Sequence, residues 1–355
     1  MSIADLARPE IRSLAPYASA RALADSAGIL LNANENPWPP QGDGGLRLNR
    51  YPEPQPAELK KKLANYYGVA AEQLLLTRGS DEGIDLLMRA FVHPGADRVI
   101  TCPPCFGMYA LSARIQGAKV VEVPLGESED DFELDPEALA DTGPAKLLFL
   151  CSPNNPTGNG LDAETVLGLA RDYQGAGLVV LDEAYIEFSE RPSLASRVAQ
   201  QPNLVVLRTL SKAFGLAGCR LGALIAHPEV IELLRRIIPP YPLPTPAVAA
   251  AVVALDPEAV AARREQIDLL MDDKRRLVQA LESHSAIRHV WPGEANFVLV
   301  RADDGPALVR AAAAAGIRLR DQSAQPGLAD CVRITLGTPE ENTALIEFMN
   351  AWKSA

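Results

Sequence analysis

Histidine and cysteine are scarce in this chain of 355 residues, and where they stand excludes more than their number does. The 4 histidines, at 93, 227, 284 and 289, lie outside every polar cluster described below, which argues against a His-based triad or a metal centre. The 5 cysteines are too few and too scattered for a disulfide framework. Cys102-Pro103-Pro104-Cys105 has redox-motif spacing after a strand-like run, but no second pair completes a zinc site. Ordinary thiols at a pocket wall are the expectation. No Lys/Arg-rich run occurs, and 34 basic against 45 acidic residues leave a formal charge of −11, a poor basis for nucleic-acid binding. A few local arginines can still hold a small phosphate ester. The longest purely apolar run, Ala247 to Leu255, is too short to span a bilayer. The opening stretch is broken by Asp5, Arg8, Glu10 and Arg12 and has no apolar signal core. A cytoplasmic protein without membrane or nucleic-acid partners is expected.

What the chain does contain is an alternation of strands and helices. Residues 1–28 read as a helical arm, and Leu30 to Trp38 as an irregular Asn/Pro-rich segment. Leu74 to Leu76 reads as a short buried strand, and Asp81 to Phe91 as a helix capped by Ser80 after Gly79. Val99 to Cys102 and Lys119 to Val123 are further strands. Leu147 to Cys151, Leu178 to Leu181 and Val205 to Leu207 are continuous apolar runs, the pattern of parallel strands covered on both faces. Leu161 to Tyr173 is a helix between two of them, and Leu221 to Ala226 is one more strand. This alternation predicts a large doubly wound α/β domain over 29–250, closed by the Pro-rich stretch Pro239 to Pro246. A smaller α+β domain over 251–355 follows, entered by one long helix from Pro257 to Ser283. Its strands are Ile287 to Trp291, Phe297 to Arg301 and Val332 to Leu336, and its helices Pro306 to Ala315 and Pro339 to Trp352.

In open α/β sheets the binding crevice lies beyond the carboxyl ends of the strands, and here polar residues gather there. Lys212 follows the run Val205 to Leu207 in a segment of small, uncharged residues, with Thr209 and Ser211 just before it and Arg220 after it. Poor solvation biases such an amine toward its neutral, nucleophilic form, which a Schiff-base lysine requires. The hydroxyls and Arg220 would form an anion site beside it. A lysine that binds an aldehyde next to a phosphate pocket suggests pyridoxal phosphate (PLP). Gly79-Ser80-Asp81-Glu82 opens a helix whose free N–H groups suit a phosphate. Ser152 to Gly158 forms a rigid turn, and Asp182 ends a buried strand. A carboxylate there is costly unless a cation pairs with it, either within the fold or as the protonated ring nitrogen of a cofactor.

Together these clusters resemble the fold-type I PLP-dependent aminotransferases over nearly the whole chain, and among them the histidinol-phosphate aminotransferase family. The closer resemblance rests on Asn32-Ala33-Asn34-Glu35-Asn36-Pro37, Tyr51-Pro52-Glu53-Pro54-Gln55-Pro56 and Arg78-Gly79-Ser80-Asp81-Glu82. It continues through Cys151 to Gly158, Asp182-Glu183-Ala184-Tyr185-Ile186-Glu187-Phe188, the Lys212 segment, Arg320-Asp321-Gln322 and Val332-Arg333-Ile334-Thr335. The resemblance implies that Lys212 is the Schiff-base lysine and the base that moves the substrate proton. It makes Asp182 the partner of the pyridinium nitrogen, and Asn155 and Tyr185 donors to the cofactor's phenolic oxygen. Ser80, Asp81, Thr209, Ser211 and Arg220 match the phosphate cup. Phe106 matches the aromatic that stacks on the ring. Tyrosine is usual in the family at that position and threonine at that of Cys105, so ring tuning is open to change. Tyr51 matches a residue reaching the cofactor phosphate of the neighbouring subunit, which implies a homodimer.

On the substrate side Arg333 matches the arginine that holds an α-carboxylate in most relatives. Arg320, Arg333 and Tyr17 match the residues that receive the substrate phosphate in the histidinol-phosphate branch. A guanidinium fork suits both anions, so glutamate can use the same site. The bland reading of Arg320 is a salt bridge with Asp321 or another surface acid. The reaction implied is reversible, ping-pong transamination between histidinol phosphate and 2-oxoglutarate, a step of histidine biosynthesis. An aromatic amino-acid aminotransferase, a threonine-phosphate decarboxylase and a non-catalytic sensor of a phosphorylated metabolite are the alternatives.

Overall fold

The computed structural model of the chain describes residues 2–17, 28–128 and 131–353. Part of the expected arm, residues 18–27, therefore lies outside the described residues. The rest of the arm carries two short helical turns, Ile3–Leu6 and Pro9–Ser13. Leu6 and Ala7 are buried against the large domain, and the Arg8 N–H donates to the Ala90 carbonyl at 2.9 Å.

Strands β1 (Leu74–Thr77), β2 (Arg98–Thr101) and β3 (Lys119–Glu122) are followed by a small hairpin, β4 (Gly126–Glu127) and β5 (Phe132–Glu133). Then come β6 (Leu147–Cys151), β7 (Leu178–Asp182), β8 (Leu204–Thr209) and β9 (Gly222–Ile225). Seven of these form one sheet in the order β1-β9-β8-β7-β6-β2-β3. Strands β8, β7, β6, β2 and β3 are mutually parallel, and β9 runs antiparallel to both β8 and β1. Every residue of β6, β7 and β8 is buried, because helices cover both faces. That is why these strands read as unbroken apolar runs. Each fully buried large aliphatic or aromatic side chain stabilises the fold by about 1.5–3 kcal/mol. Such a core offsets the cost of placing one carboxyl at the end of β7.

The helix over Ala163–Asp172 starts two residues later than its apolar pattern suggests, because Asp162 caps it by accepting from the Thr165 N–H at 2.9 Å. A larger departure concerns Ser80. The helix begins at Gly79, and Arg78 holds the N-cap position without a side-chain cap. Glu82 reaches back instead, accepting from the Arg78 N–H at 2.7 Å and its guanidinium at 2.6 Å. Ser80 thus lies inside the first turn.

The C-terminal unit is a four-stranded antiparallel sheet, β10 (Ile287–Trp291), β11 (Phe297–Ala302), β12 (Arg320–Asp321) and β13 (Cys331–Thr335), in the order β10-β11-β13-β12. The long helix Pro257–Glu282 joins the two units: Val260 and Ile267 pack on the large core, and Leu277 and Leu281 on the small one. The expected domain boundary at 250 falls within the helix Thr245–Ala254, whose Ala247 and Ala251 sit in the large core. Among the described residues no single helix is long and apolar enough to cross a membrane.

Candidate active site

Five strands end on the same side of the large sheet, and their last residues, Thr101, Glu122, Cys151, Asp182 and Thr209, line one cavity of ≈ 740 Å³. Twelve of the fourteen residues singled out in the sequence line it; Tyr17 and Tyr51 do not. Ser80 and Asp81 come from the helix start, Phe106 from the turn after β2, Asn155 from the turn after β6, and Tyr185 from the turn after β7. Ser211, Lys212 and Arg220 come from the loop between β8 and β9. Arg320 and Arg333 enter from the small sheet.

Asp182 is 2% exposed and forms no ion pair among the described residues. Its Oδ2 accepts from the Tyr109 hydroxyl at 2.7 Å, and its Oδ1 from the Ala184 N–H at 3.1 Å. Burial pushes its carboxyl up to about 6, against the lowering effect of those two hydrogen bonds. Among the described residues, the ion pair that would make Asp182 a purely structural residue does not form. Lys212 faces the same cavity with Nζ 5.4 Å from the centroid of the Tyr185 ring. Desolvation lowers its amine from the usual value, the positive charge of Arg333 adds to this, and Asp182 and Asp81 oppose it.

An anion cup surrounds Arg220. Its guanidinium donates to Ser211 Oγ at 3.2 Å and to Asp81 Oδ2 at 3.0 Å, and the Ser211 N–H donates to Thr209 Oγ1 at 3.1 Å. Arg220 itself sits in the left-handed region, at φ 52°. Two glycines make room for the cup. A Cβ on Gly79, at φ +74°, would lie 2.8 Å from Arg220 Nη2, and one on Gly222 would lie 2.6 Å from the Gly79 carbonyl carbon. The backbone N–H groups at the start of the helix Gly79–Phe91 can therefore approach an anion closely.

On the other wall the Arg333 Nη1 donates to Asn155 Oδ1. A guanidinium has no acceptor, so the amide oxygen must face it, and Asn155 Nδ2 is left as a donor for the cavity. Arg333 Nε is buried without a partner among the described residues, and the guanidinium carbon lies 5.4 Å from the Phe297 ring centroid. Desolvation lowers the Arg333 guanidinium from its ordinary value, with Tyr185 opposing and Arg320 assisting. Arg320 stands directly opposite Arg333 across β12 and β13. Like charges in facing positions repel, and Arg320 forms no ion pair with Asp321 or any other acid among the described residues. The salt-bridge reading of Arg320 is corrected on that ground. The Asp321 carboxylate instead accepts from the Ser323 N–H at 2.8 Å.

Tyr17 is 74% exposed, and Tyr51, half exposed, stacks on Tyr241 with ring centroids 4.4 Å apart. Sequence reasoning missed Tyr109, the buried partner of Asp182; its only signal was its place one helical turn after Phe106, whose ring it meets edge-on at 5.6 Å. It also gave no role to Arg208, the charge directly after the apolar run Val205 to Leu207. Arg208 is buried, binding Glu187 at 2.6 Å, Glu183 at 3.4 Å and Ser193 at 3.0 Å, with Tyr67 beneath its guanidinium. This network fixes the end of β7 against the end of β8, and so the placement of Asp182 relative to Lys212. All five cysteines are free, and burial raises the Cys105 thiol to about 12, the opposite of what a reactive thiol needs.

A mixed sheet with a lysine, a buried carboxyl and an anion cup at its carboxyl edge defines a class, and the chain belongs to the aminotransferase class I and II family, whose pattern matches residues 31–349. Within that family it is 47% identical over 348 residues to the histidinol-phosphate aminotransferase of Xylella fastidiosa (strain 9a5c), a match covering 97% of this chain and 95% of that one. It is 46% identical over 353 residues to the histidinol-phosphate aminotransferase of Stenotrophomonas maltophilia (strain R551-3), covering 99% and 97% of the two chains. Among solved structures it is similar to histidinol-phosphate aminotransferase from Sinorhizobium meliloti in complex with pyridoxal-5'-phosphate. The TM-score is 0.74 at 27% identity, covering 85% of this chain and 83% of that one.

Proposed function

We propose that this chain is a PLP-dependent aminotransferase that moves an amino group between histidinol phosphate and 2-oxoglutarate, giving imidazole acetol phosphate and glutamate, in histidine biosynthesis. The observation that carries this reading is Asp182, a buried carboxyl without a cation partner among the described residues, in the cavity that Lys212 faces. A protonated pyridine nitrogen would supply that cation. The lining fits the rest of the cofactor: Arg220, the Thr209 and Ser211 hydroxyls and the helix-start N–H groups of Ser80 and Asp81 for its phosphate, Phe106 for a ring face, and Asn155 and Tyr185 for its phenolic oxygen. When bound, PLP supplies an aldehyde that takes up the amino group and a ring that withdraws electrons from the substrate carbon. Lys212, whose amine desolvation lowers from its usual value, would hold the aldehyde end and is the base placed to move the proton.

Two guanidinium sites in one cavity support the choice of substrate. Arg220 serves the cofactor phosphate, which leaves the Arg320–Arg333 pair for a second anion on the substrate. That pair suits a phosphate ester in one half-reaction and a carboxylate in the other, the condition for one site to run a ping-pong cycle. The enzyme is proposed to work in the cytoplasm as a homodimer, with Tyr51 and Tyr17 serving the neighbouring subunit's cavity. Both are exposed on the single chain and absent from its own cavity, which supports this placement. Purified protein supplied with PLP, histidinol phosphate and 2-oxoglutarate should form glutamate. Carbon dioxide released from threonine phosphate, or phenylalanine turned over as well as histidinol phosphate, would contradict the assignment.

A further inference from the structure

A second cavity, of ≈ 310 Å³, lies between the segment that follows Lys212 and the long helix joining the two units. Four guanidiniums, Arg191, Arg208, Arg263 and Arg264, line it against one carboxylate, Glu187. Two of them are committed: Arg191 binds Glu294 at 2.7 Å, and Arg208 binds Glu187 at 2.6 Å. Arg263 and Arg264 form no ion pair among the described residues. The Arg263 guanidinium is held near Gly215, its Nη2 3.5 Å from where a Cβ would stand there. Besides the Tyr67 hydroxyl, two buried atoms of residues lining this cavity lack hydrogen-bond partners among the described residues, the donor Arg208 Nε and the acceptor Glu187 Oε2. Their side chains are only 5% and 7% exposed. Leaving such atoms unpaired costs about 1–3 kcal/mol each, so a cavity built this way calls for a ligand that satisfies both.

We propose that this cavity is a second anion site, separate from the one at Lys212, and that it takes hydrogen phosphate or a small phosphate monoester. Phosphate oxygens accept from Arg263, Arg264 and Arg208 Nε. Near neutral pH inorganic phosphate carries one or two protons and a phosphate monoester is partly protonated, and that P–OH donates to Glu187 Oε2. Sulfate, fully ionised, offers no such donor. A carboxylate facing an anion is otherwise repulsive, so Glu187 selects for a protonated oxyanion.

Calorimetric titration of the PLP-loaded protein with inorganic phosphate, at constant ionic strength, tests this. Loading with PLP fills the cup, and Arg320→Ala removes half of the substrate-side anion pair. A saturable heat should persist in Arg320→Ala, weaken about tenfold or more when Arg263→Ala/Arg264→Ala is added to that background, and be about tenfold weaker for sulfate there. Arg263 is half-buried and Arg264 exposed, and neither belongs to an apolar core, so that variant should fold as the parent does. Indistinguishable titrations of Arg320→Ala with and without the double substitution, disappearance of the whole signal in Arg320→Ala, parity of sulfate with phosphate, or no saturable heat would each overturn the proposal.

Discussion

At the scale of single residues the site turns on how burial sets two proton affinities. Asp182, at about 6, lies above the ordinary value of 3.8 for its kind. Between those values the folded chain keeps a proton that the unfolded chain has released. Stability therefore falls as pH rises from about 4 to about 6 and stays at the lower level above that, and the cost disappears as pH falls toward 4. In the cofactor-free protein, Asp182→Asn should be more stable than the parent above pH 6 by on the order of 3 kcal/mol, with the advantage fading toward pH 4. Denaturant melts across that range check it, and an advantage that does not change with pH would contradict the role of burial. The Tyr109 hydroxyl donates to the ionised carboxyl, so Tyr109→Phe should raise the Asp182 value further and weaken PLP binding by about tenfold or more. Fluorescence titration with PLP measures that change. Lys212, Asp182, Asn155 and Tyr185 were legible because each closely follows an apolar run that could only be a buried strand. Tyr109 was not, because its contact depends on where the end of β7 falls in three dimensions.

At the scale of elements, the cup depends on backbone approach more than on side chains. A Cβ at position 222 would press within 2.8 Å of Gly79 Cα and the Ser80 nitrogen. Gly222→Ala should therefore push β9 away from the start of the helix Gly79–Phe91, cost about 1–3 kcal/mol in stability, and weaken PLP binding. Parallel denaturant melts and PLP titrations read both effects. On the opposite wall, β12 exists to set Arg320 against Arg333. Arg320→Ala should lower kcat/KM for histidinol phosphate by about 10- to 100-fold while sparing glutamate more, because Arg333 still holds a carboxylate. An equal loss on both substrates would place Arg320 outside phosphate recognition. The three central strands were readable from composition, since cover on both faces leaves only apolar residues. A strand of two residues such as β12 carries no periodicity at all. Ser80 looked like a cap because serine before an acidic turn usually is one, and only the reach of Glu82 back to Arg78 shows otherwise.

At the scale of the whole molecule, the two units meet around one cavity, and the long helix Pro257–Glu282 is the rigid link between them. The dimer proposed above has its own test at this scale. Tyr51→Ala and Lys212→Ala variants, each impaired alone, should regain about a quarter of parental activity when unfolded together and refolded as mixed dimers. Shared sites place one intact centre in each hybrid; no recovery would mean that Tyr51 serves its own chain. The assignment as a whole depends on Lys212 being the residue that bonds the cofactor aldehyde. Borohydride reduction of the PLP-loaded protein, followed by mass mapping of its peptides, measures that bond directly. A single phosphopyridoxyl label on the peptide containing Lys212, absent from Lys212→Ala, is the predicted result. A label on any other lysine, or none on the parent protein, would contradict it.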